Sequence, residues 1–264
     1  MKQTRRMFNW LVACSLAVIM VTGLSAQSAK ERTGKVVRLK GAARYSTGNN
    51  VWQQVKIGTV LRSGDLVQTA AKSYVDIVLG ETSLTPSRAV AAAPPSSFQP
   101  KAEQDVIRVK EDSVLAFEKL AMTSTGGDEV TETQLDLRSG KIFGTVKKMA
   151  PTSRYEIKLP NAVAGIRGTI YTISADGVIQ VLTGSVVISW VAADGTPMTQ
   201  TVGGGYQFDV RTGLLTPIPD AMNTEMARDY RTSRVAPSTL PKPIVQDKTV
   251  YYVSPTQPSS GSGQ

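Results

Sequence analysis

The sequence predicts an all-β protein, built as a compact antiparallel sandwich or a β-roll of many short strands. Apolar residues recur at every second position in short runs between residues 35 and 216, which is the period of a strand with one buried face. Clusters of Gly, Asn, Asp and Ser separate these runs, as turns separate strands. About 180 residues are enough to bury the core of one such domain. We therefore expect a single β domain over residues 35–216.

The clearest strand is predicted at residues 154–159, where Tyr155, Ile157 and Leu159 alternate with charged residues. Similar alternation occupies residues 74–79, 114–118 and 186–190. Turns are expected at Gly48-Asn49-Asn50, Ser63-Gly64-Asp65, Gly126-Gly127-Asp128, Ser139-Gly140, Asp176-Gly177, Thr183-Gly184 and Asp194-Gly195. The two Asp-Gly pairs lie between apolar alternating runs, so they predict tight hairpins.

The beginning of the chain predicts a signal peptide over residues 1–26. Basic residues precede an apolar run, Leu11–Leu24, and small residues follow it, which is the order of a secretory signal. The run is shorter than the roughly 20 apolar residues of a membrane span. We expect cleavage near Ala26 or Ser28, an exported chain in the periplasm or outside the cell, and no membrane span after cleavage. The pair Arg5-Arg6 leaves the Sec and twin-arginine routes both open.

Three segments depart from the strand pattern. Residues 85–105 are rich in Ala and Pro and predict a flexible surface insertion within the domain. Residues 217–234 predict a short helix capped by Asp220, with Met222, Met226 and Tyr230 on the face that docks onto the sheet. Residues 235–264 are rich in Pro and Ser and predict a disordered tail.

The composition excludes several kinds of chemistry. Cys14 is the only cysteine and lies in the predicted signal peptide, and the chain has no histidine. Ser-His-Asp and Cys-His catalysis are thereby excluded in the exported chain, as are thiolate and imidazole metal sites. The sequence contains no Gly-x-Ser-x-Gly elbow and no P-loop. We expect no enzymatic activity, no metal and no cofactor.

The charge of the chain gives little evidence of a nucleic-acid partner. The formal net charge of +9 includes three basic residues of the predicted signal peptide, so the exported chain carries +6. The basic residues are dispersed, with Lys147-Lys148 as the notable doublet, whereas nucleic-acid surfaces cluster them with aromatic residues. We expect a solvated basic surface and no nucleic acid.

Several motifs occur in the order found in one family. They are Ile57 to Thr69 with its Gly64-Asp65 turn, Ser73 to Ser83, Val106-Ile107-Arg108-Val109, Leu137 to Ile142, Ile166-Arg167-Gly168-Thr169, Val181 to Val186 and Gly205-Tyr206-Gln207. In this order and spacing the chain resembles the FecR-type domain of bacterial envelope proteins, over roughly Val51 to Val210. The insertion interrupts the family pattern after the second motif, and Tyr206 is inserted in the last.

The resemblance implies a role in the cell envelope. In known members the domain lies in the periplasm, after a cytoplasmic regulatory segment and one transmembrane helix, and relays an iron-transport signal to a sigma factor. This chain looks like a stand-alone exported FecR domain without that segment and helix. The leading hypothesis is a non-enzymatic protein-interaction module in envelope signalling or assembly, with an envelope protein as partner.

The residues expected to matter fall into two groups. Structural motif positions, or partner contacts, are predicted at Gly64, Asp65, Gly140, Arg167, Gly168, Thr169 and Gly184. Aromatic contacts are predicted at Trp52, Trp190 and Tyr206. The aromatic group leaves open an alternative, a carbohydrate- or peptidoglycan-binding module. A third hypothesis is a hydrolase that uses two carboxylates, drawn from Asp65, Asp76, Glu81, Glu111, Asp112 and Asp136.

Overall fold

The computed structural model describes residues 30–48, 51–80, 100–125 and 128–235. These residues confirm the predicted all-β class, with seventeen strands and one helix. The strands are β1 (Lys30–Glu31), β2 (Gly34–Lys40), β3 (Ala43–Ser46), β4 (Trp52–Gln54), β5 (Val60–Leu61), β6 (Leu66–Thr69), β7 (Tyr74–Leu79), β8 (Val106–Val109), β9 (Val114–Thr125), β10 (Asp128–Ser139), β11 (Lys141–Thr145), β12 (Arg154–Leu159), β13 (Ala162–Ser174), β14 (Val178–Val191), β15 (Pro197–Gly203), β16 (Tyr206–Asp209) and β17 (Leu214–Pro217). The helix, α1, spans Asp220–Ser233.

The strands form one continuous, curled sheet with two halves. The helix-side half runs in the order β2, β7, β8, β11, β13, β14, β16, β17. The far half runs in the order β4, β3, β6, β9, β10, β12, β13, β14, β15. All of these pairs are antiparallel except β10–β12, which is parallel. The two halves therefore share the hairpin of β13 and β14.

The shared hairpin bends at a β-bulge. The pairing of β13 with β14 shifts register between Arg167 and Ile170. Before the shift β13 pairs with β12, and after it with β11. Gly168 and Gly184 face each other here with positive φ angles of 64° and 88°, a conformation that glycine adopts at little cost. A bulge of this kind bends a strand and increases its twist, so the hairpin passes from one half of the sheet to the other.

One hydrophobic cluster contains side chains from both halves of the sheet. The alternation predicted at residues 154–159 is confirmed, because Tyr155, Ile157 and Leu159 are buried. The hydroxyls of Tyr155 and Tyr171 lie 3.3 Å apart inside this core. Burial raises the pKa of both tyrosines, so they are neutral hydrogen-bonding groups at physiological pH. The other fully buried members include Leu61, Ile77, Ile107, Leu115, Phe117, Leu135, Leu137 and Phe208.

The predicted insertion connects two neighbouring strands. β7 and β8, which precede and follow this segment, pair directly with each other. Asp105 is buried, accepts a hydrogen bond from the Lys147 amide at 2.8 Å and forms an ion pair with the buried Arg32. Its carbonyl accepts a 2.9 Å hydrogen bond from the Leu79 amide. The last residues of the predicted insertion, 100–105, are thus anchored to the domain, and residues 81–99 lie outside the described part.

The helix docks as predicted, although it begins differently. Met226 and Tyr230 are buried, and Tyr230 packs with Phe143 and Ile170 on the outer face of the helix-side half. The expectation that Asp220 caps the helix was wrong: Pro219 occupies the N-cap position without a side-chain hydrogen bond. Proline has no side-chain oxygen that could accept from the first helical amides, so the helix begins without a side-chain cap. Asp220 is the first helical residue instead, where its charge still complements the helix dipole.

The predicted signal peptide (1–26) and most of the predicted tail (235–264) lie outside the described residues, as do Asn49-Asn50 and Gly126-Gly127. Within the described part, no helix combines the length and apolar character needed to cross a bilayer. The predicted hairpin turns at Asp176-Gly177 and Asp194-Gly195 are confirmed, since they join β13 to β14 and β14 to β15.

The bend gives a stability prediction. We expect Gly184→Ala to lower the melting temperature strongly, because a Cβ at this position would lie 2.4 Å from the Gly168 carbonyl oxygen. Gly195→Ala is the matched control: its φ of 84° is similarly unfavourable, yet no atom lies within 4 Å of the added carbon. The control should lose roughly 1–2 kcal/mol of stability and Gly184→Ala clearly more, measured by thermal and urea denaturation. Equal losses would contradict the proposed role of close contact.

Candidate functional site

A buried ion pair joins two strands beneath α1. Asp76 on β7 and Arg108 on β8 are direct cross-strand partners and are 0% and 4% exposed. The Arg108 guanidinium donates to both Asp76 carboxylate oxygens, at 2.7 and 2.9 Å. It also lies 4.4 Å from the centre of the Tyr74 ring, a cation–π geometry. A bidentate pair of this kind has fixed orientation, so Arg108 is held in one position for contacts with the helix.

The helix binds the sheet through the same arginine. Asp229 and Thr232 of α1 accept hydrogen bonds from Arg108 Nη1 at 3.0 and 2.8 Å. Lys110 Nζ lies 2.7 Å from the second oxygen of Asp229 and also contacts Glu225. Burying a charged group is costly unless it is paired, and here each buried charge has a partner. This ionic network therefore fixes where α1 sits.

The network shifts the pKa of two of its members, Arg108 and Glu225. Burial opposes the charge of Arg108, but the hydrogen bonds and negative charge of Asp76, with the charge of Asp229, raise its pKa above the usual value. The hydrogen bond from Lys110 lowers the pKa of Glu225, against partial burial, and the positive charges of Lys110, Lys141 and Arg228 add to this effect. Both groups are fully charged at physiological pH.

A cleft of about 940 Å³ opens between α1 and the helix-side half. Its lining includes six basic and four acidic residues. Arg108 and Lys110 are neutralised by the ionic network. Among the described residues, the other four cations form no ion pair with a carboxylate; they are Lys40, Lys72, Lys141 and Arg228. The cleft therefore presents unneutralised positive charge to solvent.

Two tight turns with unusual backbone form part of this region. Lys72, in the β6–β7 turn, has a positive φ of 56°, and Asp112, in the β8–β9 turn, has one of 51°. Residues other than glycine rarely adopt this conformation. The Lys72 amide donates to the Glu111 carboxylate at 2.8 Å, which links the two turns. The Lys72 side chain thus lies at the cleft although glycine would adopt this backbone conformation at lower cost.

Four of the predicted motif residues meet at the β13–β14 bulge. Thr169 donates its hydroxyl to the carbonyls of Arg167 and Ser185, at 3.0 and 2.8 Å. Its backbone exchanges two hydrogen bonds with Val146, at 2.9 and 3.0 Å. Gly168 and Gly184 approach each other across this contact. The Arg167 side chain, in contrast, is exposed and forms no ion pair or hydrogen bond with a described residue.

The other motif residues lie elsewhere and contact backbone. Asp65 is buried and accepts a 2.8 Å hydrogen bond from the Arg62 amide, while the Gly64 amide donates to Phe117 at 2.7 Å. Gly140 joins β10 to β11 with a φ of 77°, and a Cβ there would lie 2.2 Å from the Ser113 hydroxyl. These contacts hold turns against neighbouring strands.

The three predicted aromatic contacts do not form one surface. Trp52 lies on β4, where the Arg44 guanidinium is 4.3 Å from the centre of its ring. Trp190 is half-buried against Phe208, with ring centres 5.1 Å apart. Tyr206, on β16, is 46% exposed. A sugar-binding platform needs several exposed rings side by side, and these three side chains lie in different environments.

The carboxylates considered for hydrolysis are mostly occupied by basic or backbone groups. Arg38 donates to Asp76 Oδ2 at 2.6 Å in addition to the two bonds from Arg108, and Arg138 donates to Asp136 at 2.8 Å. Asp65 stabilises a turn, as described above. Glu81 lies outside the described residues. The sequence analysis named Asp76 among these carboxylates but did not predict that Arg108 pairs with it. One signal was available: each of these two residues is a single charged residue within an apolar strand.

Comparison with known proteins supports the predicted resemblance. Residues 102–187 match the family model described as FecR protein. The FecR resemblance is thereby confirmed for this range. No curated protein matches the chain.

Two crystal structures of a "putative anti-sigma factor" from Parabacteroides distasonis show a partial likeness. Both are 13% identical to this chain, with TM-scores of 0.32 and 0.31. Each match covers 46% of this chain and 53% of the other, so the chain matches about half the length of that protein.

The FecR match contains the β13–β14 bulge and part of the ionic network. It includes Arg108 of the ionic network, Gly140 at the β10–β11 corner and the bulge residues from Arg167 to Gly184. The predicted resemblance began earlier, at Val51, and the motif at residues 57–69 lies before the matched range. Helix α1 and the β15–β17 strands lie after it. The basic cleft therefore combines residues of the matched range with Lys40 and Lys72 before it and with helix α1 after it.

The ionic network predicts a large effect of Arg108→Met. This change leaves Asp76 and Asp229 with fewer partners in a buried site, and we expect a loss of about 3 kcal/mol or more. Arg211→Met is the control, because it removes an arginine whose pair with Asp209 is exposed to solvent, where screening makes ion pairs weak. Urea denaturation of both variants checks this. A comparable loss in the two would show that Arg108 does not organise the docking of α1.

The lowered pKa of Glu225 predicts a dependence on pH. A group with a lowered pKa in the folded state stabilises the fold above its unfolded value of about 4.3, and this stabilisation disappears as the pH falls through the folded value. The stability difference between the natural protein and Glu225→Gln should be constant above about pH 5 and decrease toward zero below about pH 4. Melting temperatures from pH 3 to 8 test this.

Glu129→Gln is the control for that series, because it removes an exposed carboxylate that forms no ion pair with a described residue. It should leave the melting temperature at pH 7 unchanged. A Glu225→Gln difference that grows as the pH falls would contradict the assignment.

Proposed function

We propose that this protein is an exported, non-enzymatic FecR-type protein that binds another envelope protein in signalling or assembly. The observation that carries the proposal is the distribution of exposed apolar side chains. Of the ten large apolar side chains exposed in the described residues, seven lie on β13 to β17. They are Val163, Val187, Val191, Met198, Tyr206, Leu214 and Leu215. The register puts Val163, Val187 and Val191 on one face of the sheet, and exposed apolar patches mark protein interfaces.

The outward face of β13 to β15 carries one described charged residue, Arg167, at one end and is uncharged around Val163 and Val187. Exposed Val163 pairs with Ser189 across β13 and β14, and exposed Val187 pairs with Thr201 across β14 and β15. Valine and hydroxyl side chains alternate here, and no charged group separates them. Protein interfaces are depleted of charge at their centre, so this face has the composition of a contact surface.

The strand β15 offers a free edge beside this face. Its seven residues, Pro197–Gly203, pair with β14 on one side and with no described strand on the other. They include no charged residue, whereas exposed edges are usually protected by lysine, proline or a bulge. Pro197 protects only the first position. An extended strand of a partner protein could pair with this edge, as in β-augmentation.

The envelope setting is supported by the FecR match and by the predicted signal peptide. The match of residues 102–187 to the FecR protein family supports this setting, because the resemblance implies a role in the cell envelope. The basic and apolar order of residues 1–26 supports export. Together with the uncharged edge, these features favour a binding role over a catalytic one.

The binding surface is tested by adding one charge. Met198→Lys places an ammonium group on β15, and we expect it to reduce capture of the envelope partner, after cross-linking in intact cells, by about tenfold, equivalent to roughly 1.4 kcal/mol. Val60→Lys is the matched control, since Val60 is 46% and Met198 43% exposed, but Val60 lies on β5. Capture that is unchanged by Met198→Lys, or equally reduced by both, would contradict the assignment of β15.

Export is tested separately. We expect the mature protein to begin near residue 27 or 29, to fractionate with periplasmic or secreted markers, and to lack the mass of residues 1–26. Intact-mass spectrometry of the protein purified from its native cells measures this. A full-length protein retained in the cytoplasm would contradict the envelope role.

A further inference from the structure

The cleft beside α1 carries more positive charge than the fold uses. Arg108 and Lys110 hold the helix through Asp76, Asp229 and Glu225. The four remaining cations form no ion pair in this docking, although the charges of Lys141 and Arg228 favour the ionised form of Glu225. They come from four separate elements, with Lys40 at the end of β2, Lys72 in the β6–β7 turn, Lys141 at the start of β11 and Arg228 on α1. Cations that outnumber the acidic groups of a cleft attract anions to it.

The backbone of Lys72 is a second, independent observation. Its left-handed conformation is held by the hydrogen bond to Glu111, although glycine or asparagine adopts this conformation more readily. Residues in such rare conformations cluster at functional sites. Lysine at this position places a cation at the cleft, and its backbone conformation makes the fold less stable than glycine would.

The lining also contains groups that accept hydrogen bonds. Glu111 and Asp176 lie among the cations, and the hydroxyls of Ser73, Ser174 and Thr232 complete a polar surface. A ligand that carries only negative charge would be repelled by the two carboxylates. A ligand that presents both carboxylates and N–H donors would satisfy cations and acceptors together. A peptide with acidic side chains has this combination.

We propose that this cleft binds a short acidic peptide segment. The carboxylates of the segment contact Lys40, Lys72, Lys141 and Arg228, and its backbone amides donate to Glu111 or Asp176. The volume of about 940 Å³ lies near the upper end of the range for ligand pockets, roughly 300–1,000 Å³. The proposal rests on the protein-binding role proposed above and adds a second contact surface, which lies on the helix side rather than along β15.

Direct binding of a defined probe tests the cleft. The mature protein is titrated into fluorescein-labelled hexaglutamate at low salt, and fluorescence anisotropy gives the dissociation constant. The double variant Lys72→Gln/Arg228→Gln should weaken binding by about tenfold or more. Lys147→Gln/Lys148→Gln is the matched control: it removes two exposed cations outside the cleft and should change the constant by less than about twofold.

Each other outcome overturns the proposal. Equal weakening by both double variants would show attraction to overall charge. Tighter binding of sodium tripolyphosphate than of hexaglutamate, measured by competition, would show that the cleft selects phosphate rather than peptide. No binding of hexaglutamate at 20 mM salt would remove the cleft as an acidic-peptide site, while partner capture through β15 would still stand on its own test. Melting temperatures confirm that both double variants are folded.

Discussion

The shape of the whole sheet depends on the close contact of Gly168 and Gly184 across the β13–β14 hairpin. Gly184 lies so close to the Gly168 carbonyl that no side chain fits between them. Because β13 and β14 belong to both halves of the sheet, the bend at this contact sets the angle at which the halves face each other. Thr169 then joins the bend to Val146 and Ser185 by hydrogen bonds. The core between the halves closes only if this corner has the observed geometry.

On the outer face of the sheet, the buried charge of Arg108 fixes the position of helix α1. Packing of Tyr230 on Phe143 and Ile170 is non-directional and would tolerate several helix positions. The hydrogen bonds from Arg108 to Asp229 and Thr232 are directional. Apolar contact thus supplies much of the attraction between α1 and the sheet, and Arg108 fixes one position of the helix. This role accounts for the presence of a charged pair, Asp76 and Arg108, in two otherwise apolar strands.

The sequence predicted the parts of this fold that depend on neighbouring residues. Alternation identified β12 and the buried face of β7, and Asp-Gly pairs identified the turns around β14, because both are local properties of the chain. The parallel pairing of β10 with β12 could not be predicted, since it joins strands that no tight turn connects. The pairing of Asp76 with Arg108 was missed for the same reason: it depends on a register between strands separated by the insertion.

The candidate surfaces were predicted less well than the fold. The motif glycines were identified from their order in the family, and the structure places them in tight corners. The cleft was not predicted, because its cations come from four elements that are distant in sequence and show no clustering along the chain. The free edge of β15 is likewise visible only when the neighbours of every described strand are known.

The ion pair of Arg32 with Asp105 has a consequence for protein engineering. It closes the base of the segment between β7 and β8, where the Leu79 amide also binds the Asp105 carbonyl. Once a loop is closed at its base, doubling its length costs only about 0.6 kcal/mol. An epitope, a fluorescent protein or a purification handle added between these anchors should therefore cost little stability. A label in this position would report on the protein while both termini remain unaltered.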